Sequence, residues 1–100
     1  MTSPVVPEIV VGLELDAAAD GGRQRPLNEG EYRGVFLVGE QGFSIRFFVA
    51  LPFDAGTLQR FGVQFLSPKE ALPHFAVGTS FSMWEGRVVG HGRVLEVLAT

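Results

Sequence analysis

The chain has 100 residues, a length that fits one compact domain with a single hydrophobic core. Its 46% hydrophobic and 19% charged residues exclude disorder over most of the length. Eleven acidic and eight basic side chains give a net charge of −3, which excludes the strongly basic surface typical of broad nucleic-acid binding.

Cysteine is absent from the sequence, which excludes disulfides, thiolate catalysis and cysteine-containing zinc sites. No run approaches the roughly 18 apolar residues that cross a bilayer, and the first residues lack the basic segment of a signal peptide. We therefore expect a cytoplasmic protein without a membrane span.

The first half of the chain alternates apolar and polar residues with a period of two, which predicts β-strands. Residues 8–16 form the first strand, and residues 20–30 have the Gly, Asp, Asn and Pro content of a loop. Residues 31–38 and 43–49 then alternate on either side of the turn sequence GEQG. This arrangement predicts a β-hairpin.

A fourth strand and a long loop are predicted in the next part of the chain. Residues 61–65 alternate while Leu58 is out of phase with them, which indicates a bulge near Gln59 and Arg60. Residues 67–78 contain two prolines five residues apart, a spacing too close for a helix of any length.

The chain ends in two predicted strands, residues 79–84 and 87–98, joined by a Glu-Gly turn. Gly90 and Gly92 stand on one face of the last strand, where missing side chains permit a sharp bend or the close approach of another strand. Six strands without a helix must bury their apolar faces in a closed barrel or a two-layer sandwich.

The sequence contains none of the common catalytic motifs. It has no GxxxxGKS/T phosphate loop, no GxGxxG and no HExxH, and none of its serines lies in a GxSxG elbow. His74 and His91 alone make a poor metal site. We therefore predict a protein that is not an enzyme and that needs no cofactor, metal or nucleotide.

Two segments rich in glycine and arginine are more informative, DGGRQRPLNEGEYRGVF at residues 20–36 and FSMWEGRVVGHGRVLEVL at residues 81–98. In order and separation they resemble the C-terminal, third domain of translation elongation factor Tu. That domain has a GGRHTP loop followed by YRPQF, and it ends in FAIREGGRTVGAGVV. The resemblance extends over nearly the whole chain. It implies an all-β fold, a six-stranded antiparallel closed β-barrel over residues 8–98. We expect residues 1–7 to form a flexible N-terminus, as chain ends commonly do.

In that family the barrel contacts the T-stem side of aminoacyl-tRNA and meets other translation partners. By resemblance, Arg23 matches the arginine of the family loop, and Glu85 and Gly86 match the Glu-Gly of its last turn. The sequence departs from the family at Gln24 and Val35, which replace a histidine and a glutamine, and it lacks a match for the T-stem lysine. Because phosphate contacts supply most of the affinity for nucleic acid, these departures favour a protein partner.

Arginines near the two motifs could gather on one rim and bind phosphates or an acidic protein surface, or they could be scattered and solvated. They are Arg23, Arg25, Arg33, Arg87 and Arg93.

Large apolar side chains on outward faces indicate a contact surface. Trp84 is expected either to be partly exposed beside the Glu85 turn or to cover the barrel beneath the proline-containing loop. With Phe48 and Leu66 on outward faces and Phe53 in a turn, we expect an apolar patch. Self-association would explain this patch as readily as a foreign partner.

We therefore expect a non-catalytic binding module, related to translation, that acts through protein–protein contact. The alternative is binding of tRNA or structured RNA through an arginine rim. The residues predicted for the site are Arg23, Gln24, Arg33, Trp84, Glu85, Gly86 and Arg87.

Overall fold

The computed structural model describes residues 4–18, 21–23 and 25–98 and arranges their strands as a closed antiparallel barrel. The strands are β1 (Ile9–Leu15), β2 (Gly30–Val38), β3 (Gln41–Val49), β4 (Leu58–Phe65), β5 (Ser80–Trp84) and β6 (Val88–Val97). Around the barrel they follow the order β1, β4, β3, β2, β5, β6, and β6 pairs again with β1. The prediction of a six-stranded closed barrel is confirmed, and the sandwich is excluded.

Alternate side chains of the six strands fill the barrel interior, as the period of two requires. Aromatic rings form a large part of the interior and pack in tilted, edge-on or stacked geometries. For example, Phe75 lies edge-on to Phe43 with ring centroids 5.4 Å apart, and Phe36 stacks on Phe81 at 4.1 Å. These contacts join β2, β3 and β5 to the segment that follows β4.

Phe53 is fully buried, so the prediction that it contributes to a surface patch is wrong. Its backbone exchanges two hydrogen bonds of 2.9 and 3.0 Å with Leu27, and its ring lies 5.1 Å from that of Phe61. The loop between β1 and β2 is thereby tied to the connection between β3 and β4. Phe48 and Leu66, in contrast, are exposed as predicted.

β4 is regular over its whole length, and the predicted bulge near Gln59 and Arg60 is wrong. Its pairing with β1 runs without a register shift from Leu58 to Val63. Leu58 is 68% exposed and points outward from a regular strand. A large apolar side chain on the surface needs no irregularity to explain it.

The proline-containing segment after β4 is helical in part, where we predicted a loop. Helix α1 (Pro68–Ala71) is followed by a 3-10 turn (Leu72–His74). Each proline stands in the first turn of its element, where the missing N–H removes no hydrogen bond. Burial of Ala71 and Phe75 fixes this segment to the core.

Gly90 and Gly92 allow β6 to lie against its neighbours, as predicted. A Cβ at Gly92 would stand 2.6 Å from the carbonyl oxygen of Gly12 and 2.5 Å from the ring of Phe81. A Cβ at Gly90 would stand 2.9 Å from the carbonyl oxygen of Glu14. Carbon atoms do not approach so closely without displacing the strand, so glycine is required for closure.

We expect Gly92→Ala to destabilise the barrel by about 1–3 kcal/mol, the usual cost of an added carbon in a packed interior. Each kcal/mol corresponds to a fall in Tm of about 4–8 °C in a domain of this size. Gly12→Ala is the matched control, because a Cβ there meets only side-chain carbons of Leu58 and Leu95, at 3.6 Å or more. Thermal unfolding followed by circular dichroism measures both variants, and equal Tm values would contradict the packing argument.

Candidate functional site

The β5–β6 turn and the loop that follows β1 lie side by side at one end of the barrel. Gly86 has a positive φ of 81° in the turn, and the Glu85 N–H donates to the Arg87 carbonyl oxygen at 2.8 Å. From the turn, Arg87 reaches the loop, donating from Nε to the carbonyl oxygen of Gly21 at 2.7 Å and from Nη2 to that of Gly22 at 3.0 Å. The two glycine- and arginine-rich motifs are therefore in direct contact.

The carboxylate of Glu85 is the centre of this contact. It accepts a hydrogen bond of 2.5 Å from the hydroxyl of Tyr32 on β2, and it pairs with Nε of Arg23 at 3.1 Å. Nη1 of Arg23 is buried, and no described residue accepts a hydrogen bond from it. Two other parts of the chain, the loop after β1 and strand β2, thus converge on the carboxylate of the β5–β6 turn. The surface they form is the rim, defined as Arg23, Tyr32, Trp84, Glu85, Gly86 and Arg87.

Tyr32 is the half-buried member of the rim. Its ring lies 5.1 Å from that of Phe47 and covers Gly34, where a Cβ would stand only 2.6 Å from the ring. Burial, together with the hydrogen bond to Glu85 and its negative charge, raises the pKa of Tyr32 far above the usual range. The hydroxyl therefore stays protonated and keeps donating to Glu85 at neutral pH.

Five of the seven residues predicted for the site lie in the rim. Trp84 is 42% exposed beside the Glu85 turn and stands opposite Val35 of β2 on the outer face. This position agrees with the first of the two alternatives considered for it. Gln24 lies outside the described residues.

Arg33 follows Tyr32 in sequence, but its side chain points to the outer face of β2 and contacts Glu31 instead of the rim. Arg93 lies on β6 opposite Gly12 and Ser80. The five arginines therefore do not gather on one rim, in agreement with the scattered alternative, because alternation along a strand separates neighbours onto opposite faces.

A groove with a volume of about 550 Å³ crosses the outer face of β2, β3 and β4. Val35 stands opposite Ser44, and the N–H of Leu66 donates to the carbonyl oxygen of Ser44 at 3.0 Å. The short serine side chain therefore forms a floor between two larger apolar neighbours. We call this the β2–β4 groove; its lining includes Arg33, Val35, Ser44, Arg46, Gln64 and Leu66.

Glu31 holds the two arginines of the groove. Its Oε1 accepts from Nη1 of Arg46 at 2.7 Å, and its Oε2 accepts from Nε of Arg33 at 2.5 Å. Arg46 also donates to Gln64 at 2.8 Å and to the Pro4 carbonyl oxygen at 3.2 Å. The hydrogen bonds from Arg33 and Arg46 lower the pKa of Glu31 below its usual value. Arg46 is thus fixed on several sides, whereas Arg33 is 72% exposed.

Sequence reasoning missed three of these groups: Glu31, Tyr32 and Arg46. One signal was present for Tyr32, because it is the only tyrosine of the chain and stands in phase with the buried Phe36. A hydroxyl at a core position needs a partner. For the other two residues, outward positions on strands gave no comparable signal.

His91 and Asp16 form a separate surface pair, with Nδ1 and Oδ1 2.9 Å apart. Ser82 stands opposite His91 in the β5–β6 pairing, but no hydrogen bond joins these two side chains in the described part of the chain. The imidazole is 62% exposed. This geometry does not provide the nucleophile and base contact that covalent catalysis uses.

No protein-family model matches the chain, and no curated protein is significantly similar to it. Within residues 4–18, 21–23 and 25–98, no three metal-binding side chains lie close enough to hold an ion. The helices in this part of the chain are too short and too polar to cross a membrane. Function therefore has to be inferred from the rim and the groove themselves.

Tyr32 allows a direct test of the rim, because it is the only tyrosine and its ionisation is visible in ultraviolet absorbance. We expect its midpoint well above the ordinary value of about 10. Since the pKa is raised in the folded state, the hydroxyl stabilises the fold below about pH 10 and this contribution is lost as the pH rises further.

In the same titration, Glu85→Gln should lower the midpoint of Tyr32, because the neighbouring negative charge is removed. Glu96→Gln, at an exposed position of β6, is the matched control and should leave it unchanged. Ionisation of the folded wild-type chain near pH 10 would contradict the assigned contact.

The lowered pKa of Glu31 predicts how the stability of the fold changes in acid. Because its pKa is lowered in the folded state, its contribution is present above the ordinary glutamate value of about 4.3 and is lost as the pH falls below it. We expect Glu31→Gln to be less stable than the wild type at neutral pH, with the difference vanishing in acid. Urea unfolding at several pH values measures this, with Glu40→Gln in the β2–β3 turn as the control. A difference that persists unchanged in acid would refute the ion-pair assignment.

Proposed function

We propose that the chain is a non-catalytic binding domain that contacts a protein partner through the rim. The observation that carries the proposal is that Glu85 and both rim arginines already make ion pairs or hydrogen bonds within the chain. Glu85 neutralises Arg23, and two backbone carbonyl oxygens occupy donors of Arg87. The resemblance to the elongation factor Tu barrel supports a cytoplasmic partner from translation.

Internal pairing favours a protein over a nucleic acid for a physical reason. A phosphate that binds Arg23 must displace the Glu85 carboxylate or approach its negative charge. It would also compete with the carbonyl oxygens that hold Arg87. A protein surface can cover these groups while their present hydrogen bonds stay in place, so fewer polar groups lose their partners on binding.

Trp84 supplies the apolar part of this surface. It is 42% exposed, next to Glu85 and Arg87, and aromatic residues with arginine are enriched at protein interfaces. The backbone beside it is fixed by β-pairing on both sides. A preformed surface of this kind loses little conformational freedom on binding.

Binding of tRNA or structured RNA through Arg23, Arg33 and Arg87 is the second candidate. The 72% exposure of the Arg33 side chain favours it, because this guanidinium is accessible to a phosphate. Arg23 and Arg87 would have to exchange their present partners for phosphates. RNA binding is therefore the weaker proposal.

The proposal is tested by affinity capture from lysate of the native host at low and moderate salt, with RNA and protein measured separately. We expect one stoichiometric protein at both salt concentrations and RNA at background. Trp84→Ala should remove this protein, whereas Val77→Ala, an exposed apolar truncation in the segment after the 3-10 turn, should retain it. Substitutions of Arg23 or Arg87 are less suitable for this test, because both side chains also join the loop after β1 to the β5–β6 turn.

Two outcomes would contradict the proposal. The first is RNA recovered in quantity at low salt and lost steeply as salt rises, since RNA affinity falls with the number of phosphates neutralised. The second is a protein that is captured equally by the wild type and by Trp84→Ala. Circular dichroism of each variant shows that the fold is retained.

A further inference from the structure

We propose that the β2–β4 groove binds an extended segment of the protein partner in which a carboxylate side chain stands two residues from a large apolar one. This inference rests on the proposed function and adds to it the chemistry of the ligand. It is carried by two features of the groove, an apolar depression and one pre-oriented guanidinium group.

The depression accepts an apolar side chain. Ser44 forms its floor between Val35 and Leu66, and Leu66 is 79% exposed, so its apolar surface is in water in the free chain. Trp84 continues the same row, because it stands opposite Val35 on the other side of β2. Covering these side chains removes apolar surface from water, which is the main favourable contribution to association.

Arg33 supplies the specificity for a carboxylate. Its Nε donates to Glu31, which fixes the orientation of the guanidinium group, while the side chain remains 72% exposed. No acceptor for its Nη atoms lies among the described residues. Unlike Arg23, whose side chain is only 26% exposed, Arg33 can bind a second carboxylate through two parallel hydrogen bonds from its Nη atoms without displacing Glu31.

The local charge agrees with an acidic ligand. Among the described residues that line the groove, the charged side chains are those of Arg33 and Arg46, while the carboxylates of Glu31 and Glu8 lie beside it. The one accessible guanidinium, that of Arg33, suits one carboxylate and gives only a modest dependence on salt. An RNA strand would instead require several cations along the groove.

The spacing of the two features defines the ligand further. Arg33 and Val35 are two residues apart on β2, which corresponds to about 6–7 Å along a strand. In an extended peptide, side chains at positions i and i+2 point to the same face with the same separation. A peptide that lies along β2 therefore places its acidic and apolar side chains over Arg33 and Ser44 together.

The probe for this inference is a library of random peptides displayed on phage, selected against the folded wild-type chain. We expect enriched sequences in which Asp or Glu stands two residues from Leu, Ile, Phe or Trp. A synthetic peptide of that sequence, titrated into isotopically labelled chain, should shift the backbone amide signals of Arg33, Val35, Ser44 and Leu66.

Arg33→Gln should lower the affinity for the peptide about tenfold, which corresponds to about 1.4 kcal/mol of binding free energy. Lys69→Gln on α1 changes the net charge by the same amount outside the groove and should leave the affinity unchanged. Leu66→Ser tests the apolar half separately, and because Leu66 is 79% exposed the variant keeps the core intact. This variant should also lower the affinity for the peptide, whereas the control Val77→Ser should not.

The inference is overturned if no peptide is enriched, if the enriched peptides lack an acidic residue, or if the shifted signals lie outside the groove. A dimer in sedimentation velocity that Arg33→Gln dissociates would assign the groove to a second copy of the chain and would also overturn it. Capture of the lysate protein by Arg33→Gln but not by Trp84→Ala would reject the groove as the ligand site while the proposed function stands. Equal capture of the lysate protein by the wild type and by Trp84→Ala would reject the proposed function instead.

Discussion

The close approach of β6 to β1 is the constraint on which the rest of the structure depends. A sheet of six strands has two edges, and closing it here brings β6 so near to β1 at one point that no Cβ fits. Gly92 satisfies this requirement, since a Cβ there would stand 2.6 Å from the carbonyl oxygen of Gly12. Closure also places the turn after β5 beside the loop that leaves β1. The rim is therefore a product of the same packing that forms the barrel.

Within the rim, the Glu85 carboxylate holds neighbouring side chains in fixed positions. It engages Arg23 from the loop and the Tyr32 hydroxyl from β2, while Arg87 ties the turn to the backbone of the loop. Exposed ion pairs contribute little to stability, but the Tyr32 contact is half-buried and its donor stays protonated. Apart from Nη1 of Arg23, the charged groups of this surface are paired in advance, which favours coverage by a protein.

The strands were predictable because a barrel interior imposes a period of two on the sequence. Contacts between distant segments were not, because local patterns contain no information about which loops meet. The backbone bridge from Leu27 to Phe53 and the hydrogen bond from Tyr32 to Glu85, 53 residues away, are both of this kind. The two motifs correctly predicted that Arg23 and Glu85 lie close together. Arg33 was misplaced because the alternation that predicted its strand also turns it away from the rim.

The central claim is that the rim arginines are committed to partners within the chain and do not bind phosphates. It is tested most directly by titrating the folded chain with total tRNA at several salt concentrations, followed by the fluorescence of Trp84, the only tryptophan. The account predicts no saturable change at any salt concentration. Saturable binding whose log affinity falls by about 2.7 per unit of log salt would contradict it, because that slope requires Arg23 and Arg87 of the rim to neutralise phosphates together with Arg33 outside it.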